Sequence, residues 1–322
     1  MRLKRRLLTF LRRTLGTNQL ASDMADLRAQ LERIEQGSQV EVLPGTPYSR
    51  VAVPMEYPPS RDLRPRWGYG RPLLQPMVDW IQPHAEDYRA VLAAMSARAP
   101  QLAKINRDFD HDRLPEPGWL GGAYVAFDAA ALYTLIGLHK PRLYLEIGSG
   151  LTTAFAWRSI RDHGLDTRIV SIDPAPRAAI DRICHQVVRA GLETCDLGVF
   201  DQLQPGDILF LDGSHRVFMN SDVTVFMLEV LPRLKPGVIV HVHDIHLPWD
   251  YHEMFTPWYW SEQYILASPI IAAPDRVRPI LPTAWVCRRP EFAEWFANPP
   301  VDLGAENHAW RDGGALWFTP RG

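Results

Sequence analysis

The chain has 322 residues, 46% of them hydrophobic and 22% charged, with a formal net charge of −2 at pH 7. That is material for one large α/β domain with appendages, or for two small domains, and the charge excludes a general nucleic-acid binder, which needs a clear basic excess. Cys184, Cys195 and Cys287 form no C-x-x-C pair and no zinc spacing, which points to a reducing, cytoplasmic setting without a disulfide framework.

Residues 1–37 read as helical and separate from the rest. The opening "MRLKRRLLTFLRRTLG" is strongly basic, and its "LLTFL" is too short for a signal-peptide core. No apolar run approaches the roughly 18 residues a membrane span needs. Leu20, Met24, Leu27, Leu31 and Ile34 follow an a/d seam, fitting either a helix docked on its own domain or self-association. The basic segment could lie on an anionic membrane surface through Leu7, Leu8, Phe10 and Leu11, giving a membrane-peripheral protein, or serve as a solvated or partner-binding arm. Residues 38–72 are rich in Pro, Gly and Arg and read as a linker or wrapping arm. Tyr48, Tyr57, Trp67 and Tyr69 favour an arm packed on the domain.

Residues 73–322 form the main domain, with 73–118 as its helical opening part. From residue 120, "AYVAFDAAALYTLIGLH" predicts a helix, "RLYLEIG" a buried strand and "TTAFAWRSIRDHG" a helix ended by Gly164. "TRIVSID" predicts a strand, "PRAAIDRICHQV" a helix and "DILFLDG" a strand. "SDVTVFMLEVLPRLKPG" predicts a helix and "VIVHVHD" a strand. Such alternation means βαβ units and a doubly wound, mostly parallel sheet with helices on both faces. "TAWVCRR" and "GALWFTP" are two further strand candidates that could close one edge.

Ligands of open α/β sheets bind beyond the carboxyl ends of the strands. Those ends carry Glu146-Ile147-Gly148-Ser149-Gly150, then Asp173, then Asp212-Gly213-Ser214-His215, then His243-Asp244-Ile245-His246. The first turn has no Walker A lysine, and Thr153 stands where a dinucleotide fingerprint needs Gly or Ala. Gly148 and Gly150 permit close backbone approach by a ligand. Glu146 can hold a cationic amine, and Asp173 can accept from both ribose hydroxyls. An amine and a ribose without a phosphate describe S-adenosylmethionine; the alternative is a tight turn with no ligand.

"LEIGSG", "SIDPAP", "GDILFLDGSH", "SDVTVFMLEVLPRLKPGVIVHVHDIHLPWDY" and "WSEQYIL" together resemble the class I S-adenosylmethionine-dependent methyltransferases, and more narrowly a bacterial branch with EIGSG, FLD-x-SH and HDI-x-LP-x-DY signatures. The resemblance covers about residues 65–320 and is specific over 141–266. It implies a Rossmann-like seven-stranded sheet and methyl transfer, with Glu146, Gly148, Ser149 and Gly150 along the methionine part and Asp173 at the ribose. Asp212 joins this cofactor set.

In similar metal-assisted O-methyltransferases, acids at the Asp212 and Asp244 positions hold Mg²⁺. This chain departs from that pattern at Ile245, where those enzymes carry a second Asp or Asn. The histidines 215, 241, 243 and 246 could instead bind a softer divalent metal or supply a base. His241 lies deeper in its strand and reads as a core residue. His215 or His243 is the expected base for the acceptor oxygen, with Asp244 orienting it. Trp249, Tyr251, Trp258, Tyr259, Trp260 and Tyr264 then crowd a loop that either caps the site or stacks on a sugar or ring substrate, with Glu262 and Gln263 as polar contacts.

The sequence therefore predicts an S-adenosylmethionine-dependent O-methyltransferase acting on a small-molecule or glycan-linked hydroxyl. A methyltransferase-like hydroxylase with a His/Asp iron site, and a non-catalytic scaffold, are the alternatives.

Overall fold

The computed structural model describes residues 40–42, 49–51 and 63–322, save 111–113, 123, 177 and 178. The expected basic and heptad helix of residues 1–37, and most of the arm, lie outside the described residues. In the first unit, β1 (Val40–Val42) pairs antiparallel with β2 (Ser49–Val51). The second unit spans Leu63–Gly322, so it begins ten residues before the expected boundary at 73. The end of the arm is tied into it: Arg66 N donates to Asp250 Oδ2 at 2.6 Å, and Asp250 N donates to Trp67 O at 3.1 Å.

The helical opening part is α1 (Gln75–Ile81), α2 (Ala85–Ser96) and the single turn α3 (Ala99–Leu102). A short parallel pair follows, β3 (Asn106–Asp108) with β4 (Gly118–Leu120). Helix α4 (Ala126–His139) is buried on nearly every face, as its unbroken apolar sequence requires, and packs against α5 (Leu151–Asp162).

The Rossmann-like sheet has seven strands: β5 (Leu143–Ile147), β6 (Arg168–Ile172), β7 (Gln186–Val188), β8 (Ile208–Leu211), β9 (Ile239–His243), β10 (Val277–Pro282) and β11 (Ala315–Pro320). Their spatial order is β10-β11-β9-β8-β5-β6-β7. All neighbours pair parallel except β11, which is antiparallel to both β9 and β10. Strands β5, β8 and β9 are buried at every residue, the mark of a parallel sheet covered on both faces. The order reverses between β5 and β8, which opens a crevice at their carboxyl ends.

Three predicted elements differ. "TAWVCRR" is not a strand but α8 (Thr283–Arg288). The strand in that region is β10, hidden in the sequence by Pro279 and Pro282; an edge strand tolerates prolines, and its pairing with β11 shifts register between Pro279 and Leu281. "PRAAIDRICHQV" gives no helix in its described part, only a 3₁₀ turn at Asp181–Ile183 and then β7. Pro174 and Pro176 withhold two amides, and the chain must return at once to the sheet edge. The helix predicted from Ser221 starts as α6 (Asp222–Val225) but widens into a π turn over Phe226–Val230 and ends in a 3₁₀ turn at Leu231–Arg233.

The cap contributes α7 (Glu262–Ala272). The three cysteines are free. Among the described residues no helix is long and apolar enough to cross a membrane.

Candidate active site

The turn from β5 into α5 is built from its own side chains. Glu146 is fully buried, and its carboxylate accepts from Tyr144 Oη at 3.0 Å and from the hydroxyls of Thr152 and Thr153. Thr153 Oγ1 in turn accepts from Gly150 N at 3.0 Å. Burial raises the Glu146 carboxyl to about 7 against the pull of the three hydroxyls. Glu146, expected to meet a ligand amine, also braces the turn, since hydroxyls reach both of its oxygens.

Gly148 is at φ +78°, and a Cβ there would stand 1.8 Å from the Asp212 carbonyl oxygen. The glycine is needed for its close approach to β8's end. Gly150 has nothing within 4 Å of where a Cβ would sit, so it is the glycine that leaves space open. Ser149 N donates to Asp173 Oδ2 at 2.7 Å, and its hydroxyl meets that of Ser171 at 2.7 Å. Asp173 Oδ1 accepts from Ala175 N at 2.7 Å. Each carboxylate oxygen can accept more than one bond, so Asp173 keeps capacity for a ligand's hydroxyls.

A cleft of ≈ 390 Å³ opens beside this turn, lined by Gly148, Asp173, Leu192, Glu193, Asp212 and Asn220 among others. Glu146, Ser149 and Gly150 do not line it, while Gly148, Asp173 and Asp212 do. Glu193 and Asn220 carried no sequence signal, because they reach the cleft on connections after β7 and β8.

Beyond the cleft, β8 and β9 deliver a second group. His215 Nε2 lies 3.6 Å from Asp212 Oδ1 and 3.4 Å from Asp244 Oδ2, while its Nδ1 meets Glu262 Oε1 at 2.5 Å. His243 Nε2 lies 3.7 Å from Asp244 Oδ1. The structure thus brings together Asp212, His215, His243 and Asp244. His215 and Asp244 both have positive φ, 63° and 53°, a costly backbone for such residues and one that collects at functional sites. The loop carrying His215 is held by Asp222, which accepts from Ser214 N at 2.7 Å and Ser214 Oγ at 2.5 Å.

Glu262 is corrected from acceptor contact to support. It is fully buried, and the start of α7 is stapled to the His215 loop by Ser261 N donating to His215 O at 2.7 Å. Gln263 is also buried; its Oε1 accepts from His246 N at 3.1 Å, so it too is spent on the fold. Burial alone would depress His215, but Glu262, Asp244 and Asp212 outweigh it and push it up to about 10. His243 is likewise raised despite burial, through Asp244, Asp212 and Asp128.

His241 is the core histidine its position predicted, stacked on Phe210 at 3.9 Å between ring centroids, and burial drives it well below its ordinary value. His246 is buried beside Tyr251 and Phe255 and lowered to about 3 by burial and surrounding cations. Neither joins the cluster around Asp244.

The aromatic loop divides. Trp249 and Tyr251 pack inward, while Trp258, Tyr259 and Tyr264 keep exposed faces. Trp260 lies 4.3 Å from the His215 ring and stacks on Phe255 at 4.5 Å, forming a roof over the cluster.

Asp212, His215 and Asp244 each present one ligand atom, all within 4.8 Å of one another, so the residues fit a divalent cation. The expected pair of acids is present. Ile245 is buried in the core and supplies nothing to it.

Residues 145–245 match a family described as a methyltransferase domain. No curated protein matches the chain. Among solved structures, an O-methyltransferase from Streptomyces achromogenes involved in tomaymycin synthesis, in complex with S-adenosylmethionine, is 19% identical, covering 71% of this chain and 90% of its own, with a TM-score of 0.32. An O-methyltransferase from Bacillus cereus in complex with S-adenosylhomocysteine is 19% identical, covering 64% and 87%, with a TM-score of 0.34. A methyltransferase from Podospora anserina bound to S-adenosylhomocysteine is 14% identical, covering 80% and 100%, with a TM-score of 0.38.

Proposed function

We propose, from the premise that residues 145–245 form a methyltransferase domain, that this chain is an S-adenosylmethionine-dependent O-methyltransferase whose acceptor is a small-molecule or sugar hydroxyl. The carrying observation is the cleft at the carboxyl ends of β5, β6 and β8, edged by Asp173 and Asp212 and opening beside a ring of histidine and carboxylate. The domain we assign runs from the end of the arm at residue 63 to residue 322.

S-adenosylmethionine, when bound, supplies an electrophilic methyl on a sulfonium. Asp173, on the cleft, would accept from the ribose hydroxyls, and the open space at Gly150 would admit the methionine part at the turn. Asp212 stands where the donor cleft meets the acceptor corner.

His243 is the residue we assign to the acceptor's proton. Its Nε2 faces Asp244, which steadies the imidazolium as it forms, and its Nδ1 has no carboxylate partner. His215 is less free, being held at Nδ1 by Glu262. The exposed faces of Trp258 and Tyr259 offer a ring or sugar acceptor a surface to stack on. A divalent ion held between Asp212 and Asp244 would favour ionisation of the acceptor hydroxyl.

Calorimetry with S-adenosylmethionine tests this directly. Wild-type protein should bind one equivalent, and Asp173→Ala should weaken binding about tenfold, near the 1.4 kcal/mol of one good hydrogen-bonding group. Folded wild-type protein that binds neither S-adenosylmethionine nor S-adenosylhomocysteine would sink the proposal.

A further inference from the structure

The corner where Asp212, His215 and Asp244 meet contains more order than a pair of acids for a hard cation needs. Two ligands each about 2.1 Å from a tetrahedral metal stand about 3.4 Å apart. The His215 Nε2 distances to Asp244 Oδ2 and Asp212 Oδ1 are 3.4 and 3.6 Å. The ring is turned so that Nε2 faces both carboxylates, and the other nitrogen is fixed by a buried carboxylate, Glu262, at 2.5 Å. Metal-ligating histidines commonly donate their second N–H to a carboxylate in this way, which fixes the tautomer and makes the ligating nitrogen more basic.

The surroundings favour the same use. Glu262 Oε2 is buried and has no partner, so the carboxylate is kept at this place for the one bond it makes to His215. The backbone holds both His215 and Asp244 in the left-handed region, an uncommon conformation that collects at functional sites. His243, more than nine-tenths buried, also turns its Nε2 toward Asp244. Mixed imidazole and carboxylate donors suit borderline transition ions; Mg²⁺ prefers oxygen throughout and keeps its waters.

We propose that Asp212, His215 and Asp244 bind a divalent transition-metal ion through one nitrogen and two carboxylates, with Glu262 as the outer carboxylate that orients the nitrogen, in preference to Mg²⁺. This deepens the methyltransferase reading and rests on it for the site's purpose, but the binding itself stands on the geometry alone. His215 replaces the acid that Ile245 does not supply. The Trp260 roof leaves the remaining coordination positions for water or an acceptor oxygen, a site that holds its ion and still admits a substrate.

The test is titration calorimetry of the full chain with Mn²⁺, Zn²⁺ and Mg²⁺ separately, with Co²⁺ absorption spectra as a report on nitrogen ligation. Expected are one Mn²⁺ or Zn²⁺ per chain, bound at least about 100-fold tighter than Mg²⁺, and a Co²⁺ spectrum that changes in His215→Ala. Glu262→Gln should keep the stoichiometry and weaken affinity about 10- to 100-fold. Circular dichroism checks the fold of each variant, and Glu262→Gln carries the test if His215→Ala does not fold. Three results overturn the proposal: Mg²⁺ binding as tightly as Mn²⁺, transition-ion binding unaffected by both substitutions, or no ion bound by folded protein. S-adenosylmethionine titrated into the same sample separates the two proposals, since cofactor binding without metal defeats only this one, and metal without cofactor only the other.

Discussion

The turn at Glu146 and the corner at Asp244 sit at the ends of β5 and β9, with β8 between them, and both place carboxylates beside hydroxyls or imidazoles. They differ in how completely those groups are satisfied. Glu146 is sealed, with three hydroxyls on its two oxygens and no exposure. Asp212 and Asp244 are partly exposed and face imidazole nitrogens at 3.4–3.7 Å, too long for direct hydrogen bonds. A satisfied polar network rigidifies; a loosely spaced one keeps room for a ligand atom. The contrast separates the residues that hold the site's shape from those left to do its chemistry.

The largest effect should come from the sealed side. Gly148→Ala combines a positive φ with a Cβ 1.8 Å from the Asp212 carbonyl oxygen. We expect a loss of about 2–5 kcal/mol in denaturant unfolding, since strain and overpacking add. Near-wild-type stability would mean that the β5 and β8 ends are not locked together, and the contrast would fail at its first term.

Glu146 gives a pH signature of similar size. Its folded value of about 7 lies above the ordinary 4.5, so the native state holds that proton more tightly than the unfolded chain. This contribution favours folding below about pH 4.5 and is lost as pH rises toward 7, by about 3 kcal/mol in all. His246, lowered to about 3, works the other way, withdrawing stability as pH falls below its ordinary 6.5. The two oppose each other, so the measurement is the difference between wild type and Glu146→Gln across pH 4.5–8. That difference should slope in favour of the variant as pH rises; a flat line would show that Glu146 is not protonated by burial.

On the open side, His243→Ala should lower kcat about 100-fold while leaving the Kd for S-adenosylmethionine within about threefold. Equal losses in kcat and cofactor affinity would merge the two regions into one.

The sheet was legible where pattern and burial agree. Unbroken apolar runs marked β5, β8 and β9, and the intervening helices carried their own stop signals, such as Gly164 at positive φ. Prolines misled twice, hiding β10 and obscuring the break after Asp173, because an edge strand obeys different rules from a central one. At the site, strand-end position named Asp212, His215, His243 and Asp244 correctly as neighbours. It left no trace of how Glu146 is braced, since the hydroxyls of Thr152 and Thr153 reach it only once α5 has folded against β5. Glu262 was noticed for the wrong reason, since its approach to His215 across 47 positions is set by the cap's fold and leaves no local trace.

The smallest stability effect, and the sharpest separation, belongs to Gly150→Ala. Unlike its neighbour, Gly150 has an extended φ of 172° and open space where a Cβ would go. The substitution should therefore cost less than about 1 kcal/mol of folding stability. If the empty space is where the methionine part of the cofactor passes, the added methyl should still raise the Kd for S-adenosylmethionine about tenfold, or 1.4 kcal/mol. Calorimetry beside a denaturant melt reads both quantities on one sample. Two glycines two residues apart would then differ in kind, Gly148 required by the protein's own backbone and Gly150 by its ligand. Unchanged affinity in Gly150→Ala would instead move the cofactor away from the turn, toward the Asp173 side of the cleft.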